Sequence, residues 1–112
     1  MNAKFEVKVA KDGEYYFHLL AANGQIILAS EMYKAKASAL NGIESVKKNA
    51  SNDAHYERLT SKNGKHYFTL KAGNHEVIGQ SQMYESAESR DHGMISVREN
   101  ASKAEIIEIA SA

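Results

Sequence analysis

Two small constellations in this 112-residue chain have the residue types to hold a ligand, and the tyrosine of each recurs in a second copy. Ser30, Met32 and Tyr33 return 51 positions later as Ser81, Met83 and Tyr84, and Tyr16 with His18 returns as Tyr67 with Thr69, followed by Lys71. A hydroxyl and a phenol just before a helix could hold a phosphate or carboxylate, because the free N–H groups and dipole of a helix N-terminus attract anions. The competing role for Ser30, Tyr33, Ser81 and Tyr84 is structural: Tyr and Met anchor the loop against the sheet while Ser satisfies the backbone. Tyr16 and Tyr67, with His18 and Lys71, form the second candidate. Two exposed rings on one sheet face offer a surface for stacking bases or gripping a peptide, against plain cross-strand packing.

Other chemistry finds little support. His18, His55, His66, His75 and His92 never fall at equivalent positions in the two copies and lack zinc-helix spacing, so no metal site is expected. Glu6/Glu57 is an acidic pair kept in both copies, and on an alternating strand it is expected to face water or a cross-strand Lys. There is no G-x-S-x-G, P-loop or G-x-G-x-x-G, hence no expected catalytic residue and no cofactor. Lys plus Arg equals Asp plus Glu at 14 each, with the first half near +1 and the second near −1 by count, which argues against a nucleic-acid partner. The N-terminal segment alternates apolar and charged residues, so no signal peptide is expected, and no run of eighteen apolar residues marks a membrane partner. Together these make the cytoplasm the expected compartment, which the absence of Cys fits.

The elements that must position these residues follow from the repeat. Sliding residues 5–55 onto 56–106 needs no gap and leaves 19 identical positions. The length suits one domain, 1–112, and two separate units of about fifty residues would be marginal without disulfides, so the copies (about 4–55 and 55–110) are expected to share one core. Phe5, Val7 and Val9 alternate with polar residues, which predicts a half-buried strand. Asp12-Gly13, and Asn63-Gly64 in the second copy, read as type I′ hairpin turns. Tyr15, Phe17 and Leu19 then face one way and Tyr16 and His18 the other. Asn23-Gly24 leads into a third strand, Gln25 to Ser30, too uniformly apolar for its faces to be assigned.

From residue 35 to 49 the period changes. Ala39, Ile43, Val46 and Ala50 form one stripe of an amphipathic helix. Gly42, matched by Gly93, costs about 1 kcal/mol in a helix interior, and its lack of a Cβ predicts close approach of the helix to the sheet. Asn49, matched by Asn100, is expected to take the left-handed C-cap conformation. The second helix runs from Ala87 to Asn100 with Ser86 as N-cap, and Glu105 to Ile109 reads as a final strand that maps onto the junction between the copies. The second copy is more polar, with Arg90 and Asp91 where the first has Ala39 and Leu40.

The segments N-G-Q-I-I-L-A-S-E-M-Y and G-I-E-S-V-K-K-N-A, with Y-F-T-L-K-A, I-G-Q-S-Q-M-Y and S-V-R-E-N-A in the second copy, resemble the YegP-like family of small bacterial proteins of unknown function. The resemblance implies an α+β fold of two tandem β3-α-β units in one antiparallel sheet, two helices on one face, and the C-terminal strands of the repeats exchanged. It also implies a monomer resembling a fused dimer, and supplies no activity. The turn at Gly73-Asn74-His75 departs from Ala22-Asn23-Gly24. The combined expectation is a non-enzymatic binding or structural module with a protein or peptide partner on the open face. The alternative is a small enzyme or small-anion-binding protein using the loops before the helices.

Overall fold

Each apolar-alternating run forms a strand and each 3.6-period run a helix. The computed structural model describes residues 2–109, in the order β1 (Lys4–Val9), β2 (Tyr15–Leu20), β3 (Ile26–Ala29), α1 (Lys36–Asn49), β4 (Tyr56–Thr60), β5 (His66–Lys71), β6 (Val77–Gln80), α2 (Ala87–Asn100) and β7 (Glu105–Glu108). Short 3-10 turns precede β4 and β7. The strands form one sheet ordered β4-β5-β6-β3-β2-β1-β7. The repeats meet where β3 pairs antiparallel with β6, Ala29 opposite its repeat equivalent Gln80, so a pseudo-twofold axis passes through that pair. Ser86 caps α2 as expected, its hydroxyl accepting from the Ser89 N–H at 3.0 Å.

The expected antiparallel sheet forms over six strands, and the seventh joins in parallel, with Lys4 opposite Glu105 and Val7 opposite Glu108. The twofold supplies the reason. β7 leaves α2 as β4 leaves α1, and the twofold carries the course of β4 onto that of β1. Arriving in the direction of β1 and finding that place filled, β7 pairs alongside it, so each repeat's last strand lies in the other half of the sheet.

Both helices pack on one face, over a single core in which Phe5, Phe17, Leu19, Ile43, Val46, Phe68, Leu70 and Val97 are fully buried and Met94 nearly so. Tyr56 ties the halves together: its hydroxyl donates to the Ala50 carbonyl at the end of α1 (2.6 Å), and burial pushes this phenol's pKa well up. Covering by β7 explains why the copies differ in polarity. Val7 on β1 is flanked by β7 and buried, and Leu40 packs against the core, whereas their equivalents Arg58 and Asp91 form an ion pair at 3.2 Å at β4, whose outer edge pairs with no described strand. A charge facing inward on an edge strand also blunts edge-to-edge association.

Two local expectations change, and the faces of the third strand become assignable. Among the described residues, Gly13, Gly24 and Gly64 have positive φ while Asp12, Asn23 and Asn63 do not, so the hairpins are not type I′. Each turn closes on its glycine instead, Gly13 donating to the Ala10 carbonyl and Gly64 to Ser61, a type I turn ending in a left-handed Gly. At the departing turn His75 takes the left-handed place of Gly24, with φ 71°, so the chain path is kept at some cost in strain. Asn49 and Asn100 do not adopt a left-handed cap. Their side-chain amides donate back to the Ser45 and Ser96 carbonyls at 2.8 and 2.7 Å, and Ala50 continues right-handed. The third strand resisted assignment because it carries a bulge: Leu19 pairs with Leu28 and Leu20 with Ile26, leaving Ile27 as an extra residue, so Ile27 and Leu28 are both buried.

The pseudo-twofold also breaks one symmetry. Two leucines cannot share the space beside the axis on the core face, and where the first copy has Leu28 the second has Gly79. A Cβ on Gly79 would lie 2.6 Å from Leu28 Cδ2. Gly79→Ala is therefore expected to destabilise by about 1–3 kcal/mol through overpacking. Adding Leu28→Ala should recover part of that loss, because the Cβ then has room. A double-mutant cycle by urea unfolding checks this, and strictly additive losses would contradict it.

Candidate functional site

The sheet face away from the helices carries the first set of candidate residues. Its central row runs Glu6, His18, Ala29, Gln80, Thr69, Glu57 across β1, β2, β3, β6, β5 and β4. Tyr16 and Tyr67 lie in pseudo-equivalent places on this face but at opposite ends of it. Three strand spacings and about four residue rises separate them by about 20 Å. The structure does not bring the two rings together. The residues engage their neighbours: Tyr16 meets His18 edge-to-face at 5.3 Å, Lys71 pairs with Glu57 at 2.8 Å, and Glu6 sits between Lys4 and Lys8. Burial, and then Lys8, lower the His18 pKa against an opposing pull from Glu6. Among the described residues no three His, Asp or Glu side chains converge to hold a metal.

The loops before the helices carry the second set. The Ser30 hydroxyl accepts from the Phe17 N–H at 2.8 Å and donates to the Glu31 carbonyl at 2.7 Å, and Ser81 does the same with Phe68 and Gln82. Each β2–β3-type pair runs out of ladder partners at this point, and the serine supplies the missing one. The single hydroxyl hydrogen is used, which leaves neither serine a donor for an anion. Tyr33 and Tyr84 pair with Tyr15 and His66 through the backbone and send their rings under the helices. Here the helix glycines are explained: a Cβ on Gly42 would sit 2.5 Å from Tyr33 Oη and 3.0 Å from Phe17, and one on Gly93 would strike Tyr84. The close approach is thus between helix and tyrosine, and the Tyr33 ring stacks on Phe17 at 6.3 Å.

Those tyrosines open onto two clefts. The first, about 430 Å³, is lined by Glu31, Met32, Tyr33, Ser38, Asn41, Gly42 and Ser45 from one repeat, and by Ala72, Asn74, Glu76, Val77 and Ile78 from the other. The second, about 200 Å³, is lined by Gln82, Tyr84, Ser89, His92, Gly93 and Ser96, and by Ala21, Asn23, Gln25 and Ile27. Every residue lining the second has its 51-residue counterpart lining the first. Of these ten pairs seven are identical: Tyr33/Tyr84, Ser38/Ser89, Gly42/Gly93, Ser45/Ser96, Ala72/Ala21, Asn74/Asn23 and Ile78/Ile27. The aligned repeats as a whole match at 19 of 51 positions, so the cleft lining is retained about twice as well. The identities stand in the sequence but the grouping does not, because each cleft joins the helix of one copy to a hairpin turn of the other. Burial first, then the Glu31 and Glu76 carboxylates, raise the Tyr33 pKa and keep its phenol a hydrogen-bond donor.

The repeat is itself a known unit. A model described as a domain of unknown function, DUF1508, matches residues 10–57 and again 61–108. The chain belongs to the DUF1508 family. Each cleft therefore draws one wall from each DUF1508 repeat. A UPF0339 protein of Acinetobacter baylyi is 59% identical over 95% of this chain and 96% of its own length, and one encoded in the ptx operon 5′ region of Stutzerimonas stutzeri is 53% identical over 99% and 100%. The solution NMR structure of YegP from E. coli, a protein of unknown function, superposes with a TM-score of 0.92 at 44% identity, covering 98% of this chain and 95% of that one. A UPF0339 protein of Shewanella oneidensis gives the same TM-score and identity over 98% and 93%. Both solved structures share the fold of this chain. Among the described residues no helix is long and apolar enough to cross a membrane.

Proposed function

We propose that this protein is a non-enzymatic binding module that offers two copies of one small-molecule cleft, built where its repeats meet. The retention of seven of ten lining positions between the copies carries the reading. Each lining combines an apolar floor, hydroxyl and amide groups and one phenol, which is the composition of a site that orients a small polar ligand. The clefts are favoured over the open sheet face, where Tyr16 is engaged with His18, Lys71 with Glu57, and Glu6 with Lys4 and Lys8. On this proposal the chain is a monomer resembling a fused dimer and works in the bacterial cytoplasm, a compartment that suits a cysteine-free chain.

The test is an NMR screen of 15N-labelled protein against a panel of small amines, sugars, carboxylates and nucleotides. The expected result is a compound that shifts amides around Tyr33, Gly42 and Asn74, or around Tyr84, Gly93 and Asn23, and is recovered unchanged. Conversion of the compound would make the protein an enzyme. Shifts confined to Tyr16, His18, Tyr67 and Lys71 would return the site to the open face.

A further inference from the structure

Of the three lining pairs that differ between the clefts, two change the same property, the charge. Glu31 and Glu76 stand in the first cleft where Gln82 and Gln25 stand in the second, and Asn41 is replaced by His92. The first cleft therefore carries two carboxylates, with no Lys or Arg in its lining. The second carries none. The change is close to isosteric: Glu and Gln differ in charge and donor pattern and little in size, so packing does not require it. Neither carboxylate is consumed by a cation. Glu76 accepts only from the Asn74 side-chain amide, at 2.9 Å, and from neither carboxylate does an ion pair run to any described Lys or Arg. Both carboxylates line the cleft together with the Tyr33 phenol. Met32, Val77 and Ile78 line the same space and supply apolar surface.

We infer that the first cleft selects ligands bearing a protonated amine on a short aliphatic body, and that the second, its neutral copy, does not. An ammonium group offers three donors and no acceptor, matching carboxylates and an amide oxygen, while the body lies on Met32, Val77 and Ile78. An anionic ligand meets like charge in the first cleft, which separates this site from the anion reading of the loops before the helices. The inference rests on the cleft reading above and adds the ligand class.

The experiment titrates 15N-labelled full-length protein with 1,5-diaminopentane, with 1,5-pentanediol as the uncharged match and glutarate as the anionic one. The diamine should shift amides at 31–33, 41–42 and 74–77 and leave 82–84, 92–93 and 23–27 in place, with affinity falling as salt rises. Glu31→Gln with Glu76→Gln, which copies the second cleft's residues, should weaken diamine binding at least about tenfold, the scale of 1.4 kcal/mol. Gln82→Glu with Gln25→Glu should give the second cleft diamine binding it lacked. All four side chains are exposed, so the variants should fold as the parent does. Equal shifts from diamine and diol would overturn the charge selection. Shifts at either cleft from the diol or glutarate with none from the diamine would overturn it too, and leave the clefts standing as binding sites. Silence of both clefts toward all three compounds would overturn this inference, while the wider screen alone decides whether the clefts bind anything.

Discussion

Phe17→Ala is expected to remove about 3–5 kcal/mol of stability, a large share of the 5–15 kcal/mol typical of a small domain. Phe17 is fully buried in the middle of β2, edge-on to Phe5 at 5.8 Å and stacked on Tyr33 at 6.3 Å. Gly42 holds the helix against it so closely that an added Cβ would lie 3.0 Å from its ring. A cavity there cannot collapse easily, because the strand beneath and the helix above are each fixed by their own hydrogen bonds. Urea unfolding should show a much lower midpoint with little change in slope. A variant as stable as the parent would mean that the core face has been assigned to the wrong side of the sheet. The same cavity removes one support of the Tyr33 ring, so the first cleft should lose order along with the fold's stability.

Cutting the chain after Asp53 is expected to abolish independent folding of both pieces. The fragment 1–53 keeps β1, β2, β3 and α1 but loses β7 from one side and β6 from the other, so the edges of both β1 and β3 are left bare. It also loses Phe68, Leu70, Met94 and Val97 from the shared core, and Tyr56 from the end of α1. Exposed edges of this kind pair with other chains. Size-exclusion chromatography and circular dichroism should therefore show a dimer, an aggregate or an unfolded chain. A monomeric fragment with a cooperative transition would show instead that each repeat carries its own core. Mixing the two fragments should restore the native spectrum, since each piece supplies the strands and core side chains that the other needs.

Local pattern alone determined much of this molecule. Period two in Phe5, Val7, Phe17 and Leu19 and period 3.6 in Ala39, Ile43 and Val46 each follow from chain geometry within a few residues, and the structure buries these side chains together. The 51-residue repeat made one shared core the natural expectation, since neither copy has enough apolar surface for its own. What the sequence left open depends on residues far apart in the chain meeting in space. The parallel entry of β7, the ion pair of Arg58 with Asp91 where Val7 and Leu40 are covered, and the clash that makes residue 79 a glycine exist only once the repeats meet at a twofold. Ser30 and Ser81 looked available to an anion because nothing local shows that their hydroxyls complete the β-ladder of Phe17 and Phe68. The clefts stayed invisible for the same reason. Tyr33 and Asn74 are 41 positions apart by their numbering, and only the packing of one repeat's helix against the other's hairpin makes them neighbours in one site.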